Sequence, residues 1–152
     1  MNHDTIAILM PLAVGTAVAF CTIVIHAVAV TIIVHVIRRE RRLGHLGVGF
    51  WRDLKIVVIV TLPLLAAHVV ECVVWALAFV LCGQFSHLSS ALYHSAENYT
   101  TLGYGDVVMT PAWRLLGPLE AADGMLMFGV STAVLLAVIQ RLVQTRFADF
   151  SS

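Results

Sequence analysis

The segment Thr100-Thr101-Leu102-Gly103-Tyr104-Gly105-Asp106 brings hydroxyls, two glycines, an aromatic ring and a carboxylate together between apolar runs long enough to cross a bilayer. Such a string can stack backbone carbonyls along a narrow path, where their oxygens replace the water around a dehydrated cation. Gly103 and Gly105 suit this use because glycine reaches positive φ at little cost, which helps turn neighbouring carbonyls the same way. Thr101 can add a hydroxyl oxygen at the inner end, and the Tyr104 ring can turn away from the ion as a spacer. A glycine-rich turn in a membrane loop is the plainer use of the same residues.

The string resembles the potassium-channel signature T-V-G-Y-G-D, with Leu102 in the valine place. Ahead of it, Leu92-Tyr93-His94-Ser95-Ala96-Glu97-Asn98-Tyr99-Thr100 is similar to the pore helix of bacterial two-helix potassium channels. Behind it, Pro111, Trp113 and Arg114 resemble the outer mouth, and Gly124-Met125-Leu126-Met127-Phe128-Gly129 resembles the G-x-x-x-F-G of the inner helix. The likeness spans roughly residues 85 to 145. It implies a selectivity filter of Thr101, Leu102, Gly103, Tyr104 and Gly105, in which the carbonyls of Thr101 to Tyr104 bind K+. It also implies filter support from Tyr93, His94, Glu97, Thr100 and Asp106, with Glu97 and Asp106 meeting behind the filter. Histidine at 94 replaces an aromatic ring, so the family's bracing bonds do not carry over; it is either a packed, hydrogen-bonded residue or a titrating one near neutral pH. Gly124 and Gly129 fall at hinge and packing positions of the inner helix, where glycine permits both bending and close approach.

Four further polar residues lie inside apolar runs. Glu120 and Asp123 stand three apart on one helix face, and intramembrane carboxylates are costly and usually functional. Bonding to the pore helix is the safer expectation for them, with cation concentration at the pore as the alternative. His68 and Glu71 share the same spacing and can bond each other, bond another helix, or hold a proton or a metal.

The elements that must position these residues follow from composition. The chain has 152 residues, 60% hydrophobic and 12% charged, which fits one domain's worth of integral membrane protein. Mean hydropathy is +0.93. Cys21, Cys72 and Cys82 are an odd number without metal-type spacing, which argues against a disulfide framework or zinc site and for apolar packing. The start lacks a basic residue, and the apolar run after it is too long for a signal-peptide core, so a retained helix is expected.

That first run, about Ile6 to Ile37, would reach roughly 48 Å as one helix against a hydrocarbon core of about 30 Å. It must tilt, protrude, or break near Pro11 and Gly15. Arg38-Arg39-Glu40-Arg41-Arg42 and a glycine-punctuated link, Gly44 to Gly49, come next. Phe50 to Lys55 is expected as a short interfacial helix or a plain connection. The second run goes from Ile56 to about Leu81 with Pro63 inside it. A short helix, capped by Ser86 or Ser89, should end near Thr100 and feed the re-entrant loop. Thr110-Pro111 reads as a helix start, while Gly117-Pro118 marks either a kink or the true beginning of the last span, expected to reach about Leu142.

The expected fold class is therefore an all-α membrane protein: three transmembrane helices, a re-entrant pore helix and a filter loop. Residues 1–55 supply an additional transmembrane helix and its link, and 56–152 the pore domain. One loop cannot encircle an ion, so a homotetramer is implied. Arg38, Arg39, Arg41, Arg42, Arg52 and Lys55 lie between spans one and two, and Arg141 and Arg146 follow span three; only Arg114 is on the filter side. The positive-inside rule puts that link and the C-terminus in the cytoplasm, and the N-terminus and filter mouth outside, in a cell membrane. The expectation is a non-enzymatic, potassium-selective channel subunit without a cofactor, apart from K+ in the filter. Anionic lipid at Arg38, Arg39, Arg41 and Arg42 is a plausible partner, and a separate regulatory subunit another. The arginines do not recur along a span as a voltage sensor requires, and zero formal net charge lends no support to nucleic-acid binding. The rival readings are a weakly selective or non-conducting subunit on the same scaffold and, more remotely, a histidine-using membrane metal or haem protein.

Overall fold

In a computed structural model, residues 3–42 and 49–150 form four helices: α1 (His3–Arg42), α2 (Phe50–Leu81), α3 (Leu88–Tyr99) and α4 (Leu116–Phe150). The link over residues 43–48 and the side chains of residues 3–7, 41 and 146–150 lie outside the described residues. Helices α1, α2 and α4 are long and apolar enough to cross a membrane. Helix wins over the strand preference of the many β-branched residues because a helix satisfies its own backbone groups in lipid.

Several boundaries differ from those expected. Helix α1 does not break at Pro11 or Gly15 but runs through both for 40 residues, so at 1.5 Å per residue it extends about 60 Å. Gly15 is used for approach: a Cβ there would lie 2.6 Å from Leu119 Cδ1. Phe50 to Lys55 is no separate helix but the first turns of α2, since no glycine or proline separates it from Ile56 and the backbone bonds simply continue. Neither Ser86 nor Ser89 caps α3; His87 occupies the N-cap with extended backbone and no side-chain bond. Thr110-Pro111 starts only turns, through Trp113 N–H to Thr110 C=O and Leu116 N–H to Trp113 C=O. Helix α4 begins at Leu116, which leaves Pro118 in its first turn, where a missing N–H removes no intrahelical bond. Its far end continues past Leu142 to Phe150.

The long helices alternate in direction. Gly15 meets Leu119, Thr22 meets Asp123, and Ile33 packs in one cluster with Val134 and Val138, so α1 runs parallel to α4. Helix α2 runs against both, with Val60 and Leu64 beside Ile33 and Trp75 beside Asp123. The N-terminal end of α1 is therefore on the filter side. Helix α3 wedges between α2 and α4. One core cluster, with Trp75, Phe79, Ala91, Tyr99, Leu116 and Met127, seats α3; a second, with Ile33, Val60 and Leu64, closes the other end.

Candidate functional site: the hairpin after α3

Helix α3 ends at Tyr99, and its orphan C-terminal carbonyls are taken up by the amides that follow. Thr101 N–H donates to Asn98 C=O at 2.8 Å; Leu102 and Gly103 N–H both donate to Glu97 C=O, at 2.8 and 3.2 Å. In a trans peptide the N–H and the preceding C=O point opposite ways, and no peptide bond among the described residues is cis. The carbonyls of Thr100, Thr101 and Leu102 therefore face away from α3. Positive φ recurs at Thr101 (60°), Gly103 (56°) and Gly105 (74°). Every second residue is thus left-handed, which keeps successive carbonyls turning to one side. The two glycines do so without strain; Thr101 does so at a cost that the bonds to Glu97 and Asn98 offset. All five residues from Thr101 to Gly105 are exposed in the single chain.

The support residues are placed unevenly. The Tyr93 hydroxyl donates to Asp106 Oδ2 at 3.1 Å, bracing the outer end of the hairpin. Glu97 and Asp106 are not brought into a hydrogen bond with each other; the Tyr93 hydroxyl interacts with both carboxylates instead, and Glu97 Oε1 is buried without a partner in the chain. Thr100 turns its hydroxyl back to Ala96 C=O at 2.6 Å. Gln84 Oε1 accepts from both the Thr110 amide and its hydroxyl, tying the turn before α3 to the outer mouth.

His94 packs between Phe79 and Phe85, and the Asn98 amide donates to its Nε2 at 2.9 Å. Burial pushes this imidazole below its ordinary range, against the opposing pull of Glu97 and Asp106. The folded chain favours the neutral form, so stability is flat above the unfolded value near 6.5 and declines as pH falls below it. Conduction is accordingly expected not to change as external pH falls from 8 to about 6.5, with any loss appearing only in more acid solution. A titration in ion flux centred at or above neutrality, and abolished by His94→Phe, would contradict this placement.

Residues 67–141, just under half of the chain, match the family model described as "Ion channel". This segment is similar to ion channels. No curated protein and no solved structure matches the chain.

The channel segment begins within α2 and includes α3, the hairpin and most of α4, so α1 and the first half of α2 lie outside it. What joins α1 to the channel segment is a set of buried polar side chains. Glu120 receives the Ser95 hydroxyl from α3, as expected of it. Asp123, its neighbour one turn on, does not reach α3: its Oδ2 accepts from Thr22 of α1 at 2.7 Å and from Trp75 of α2 at 2.9 Å. Glu71 binds His26 of α1 at 2.9 Å, lies 3.3 Å from His68, and takes the Tyr99 hydroxyl from the last residue of α3. His26, Tyr99 and Ser131 carried no sequence signal of their own. Their only trace was that each is a polar or amphipathic residue in an otherwise apolar run.

Gly124 and Gly129, alike in the sequence, separate here. A Cβ at Gly124 would lie 2.1 Å from the Tyr99 carbonyl oxygen, whereas one at Gly129 would meet nothing within 4 Å. Gly124 is the point where α4 touches the base of the hairpin.

Proposed function

We propose that four copies of the chain form a potassium-selective channel, with the Thr101–Gly105 hairpins around a common axis. The observation that carries this reading is the disposition of the hairpin backbone: the amides of Thr101, Leu102 and Gly103 are consumed by α3, so the carbonyls of Thr100, Thr101 and Leu102 are free to face an ion. A second observation supports assembly. Tyr104 is 70% exposed and Leu102 56% exposed in the single chain, alongside exposed Met125 and Leu126 on α4. Exposed apolar side chains beside a polar loop are what neighbouring subunits would cover. Fourfold closure would supply the ring of oxygens that one hairpin lacks, and sites in series would let ions displace one another.

In this reading α2 is the outer helix, α4 the inner helix and α1 peripheral. The N-terminal end of α1 and the filter mouth face outward, and Arg38, Arg39, Arg42, Arg52 and Lys55 face the cytoplasm. Arg38, Arg39 and Arg42 line a groove of about 440 Å³ with His35, which suits an anionic lipid headgroup.

The test is ion flux from liposomes containing the purified protein. K+ flux should exceed Na+ flux by more than about tenfold, a discrimination of ~1.4 kcal/mol, and Gly103→Ala should abolish it while the tetramer persists on a sizing column. Equal K+ and Na+ flux, or a monomer or dimer in solution, would overturn the reading.

A further inference from the structure

His26, His68 and Glu71 are 2%, 8% and 0% exposed, and one ligand atom of each lies within 4.8 Å of the others. His26 Nδ1 and His68 Nδ1 each face one oxygen of the Glu71 carboxylate, at 2.9 and 3.3 Å. Tyr99 hydroxyl stands 3.0 Å from His68 Nδ1. On the far side of both rings, Ser131 Oγ lies 2.9 Å from His68 Nε2 and 3.2 Å from His26 Nε2.

Proton counting leaves this ring two ways to be satisfied. With an ionised Glu71 and two neutral imidazoles, both Nδ1–H groups donate toward the carboxylate and both Nε2 atoms become acceptors. Ser131 has a single hydroxyl proton and can serve only one of them. With the other His68 tautomer, Tyr99 hydroxyl donates to His68 Nδ1, His68 Nε2–H to Ser131, and Ser131 to His26 Nε2, so the ring also closes on protons alone. A cation at the Nδ1 side is the second way to satisfy it. Each Nδ1 then offers its lone pair, each Nε2 carries a hydrogen, and Ser131 Oγ accepts both through its two lone pairs. That is how ligating histidines are usually held from behind. No lysine or arginine among the described side chains is buried beside Glu71.

We infer that His26, His68 and Glu71 form an intramembrane site for a divalent transition ion of the Zn2+ class, with Tyr99 hydroxyl at the fourth position. Two imidazoles and a carboxylate are a zinc donor set, and nitrogen donors disfavour Mg2+ and Ca2+, which prefer oxygen. The site joins α1, which lies outside the channel segment, to α2 and to the last residue before the hairpin. Occupancy therefore sets how firmly α1 and the hairpin base are held together.

The experiment uses full-length protein in detergent, without a histidine tag, loaded with Zn2+ alone, desalted, and assayed for metal by mass spectrometry. About one Zn2+ per chain is expected in the wild type and in His35→Ala, with loss in His26→Ala and His68→Ala. Ser131→Ala should fold and bind Zn2+ about 10- to 100-fold more weakly. Wild-type protein that retains no Zn2+, or variants at 26 and 68 that retain as much as wild type, would overturn the inference. Neither readout depends on ion conduction, so a failure here leaves the channel reading intact.

Discussion

Gly124→Ala is expected to cripple the channel. An alanine in the middle of a helix normally stabilises it by up to about 1 kcal/mol over glycine. Here the new Cβ would sit 2.1 Å from Tyr99 O and 2.9 Å from Tyr99 C, both backbone atoms of the last residue of α3. Backbone at a helix end cannot swing aside as a flexible side chain can, so α3 and α4 must separate. Overpacking typically costs about 1–3 kcal/mol, and a clash with backbone lies at the upper end of that range, which outweighs the helix gain. Because Tyr99 is two residues from Thr101, the displacement passes directly into the hairpin, and ion flux should fall more than about tenfold, as a loss of ~1.4 kcal/mol or more would bring. Gly129→Ala is the control. Nothing lies within 4 Å of its Cβ, so it should melt no lower than wild type, and a flux change there would report bending of α4 instead of packing. Wild-type melting and flux in Gly124→Ala would refute the close approach of α3 and α4.

The second large effect is expected at Glu71. Its carboxylate is fully buried and is shared by His26, His68 and Tyr99, so Glu71→Ala strands groups from α1, α2 and α3 together. Membrane hydrogen bonds measured singly average about 0.6 kcal/mol, giving ~2 kcal/mol for three. Breaking a buried charged pair costs about 3–5 kcal/mol. A loss of about 2–4 kcal/mol lies between these limits, and thermal unfolding in chelator-treated detergent solution measures it without any bound metal. Glu71→Gln keeps an acceptor for Tyr99 and should lose less. If Glu71→Ala melts within about 0.5 kcal/mol of wild type, as a change on an ordinary surface would, the network does not hold α1 to the pore segment.

Much of this protein is legible in one dimension because membrane depth and backbone self-satisfaction leave few choices. Three long apolar runs can only be helices in lipid, and a stretch too short to span, placed between two of them, must return to the side it started from. The hairpin's glycines were readable for the same reason: positive φ is a property of the residue itself. The failures were local. Ser86 and Ser89 looked like caps, yet the chain enters α3 through His87 with no side-chain bond. Thr110-Pro111 looked like a helix start, yet only turns follow. Such signals say what a residue can do, while competing bonds, such as Gln84 to Thr110, decide what it does.

Pairing between distant polar residues was out of reach. Glu97 and Asp106 were expected to meet, and Tyr93 stands with both of them instead. Glu120 and Asp123 looked equivalent, but a 100° step per residue sends one to α3 and the other to α1 and α2. His26 is 42 residues from His68 in the chain and carries no motif, yet their rings lie 5.1 Å apart. What the sequence alone determined is the class of the protein and the backbone character of its hairpin, because these depend on hydropathy, length and intrinsic φ. What only the tertiary structure decided is which buried polar groups share a hydrogen bond or a helix contact, because that depends on how three long helices rotate against one another.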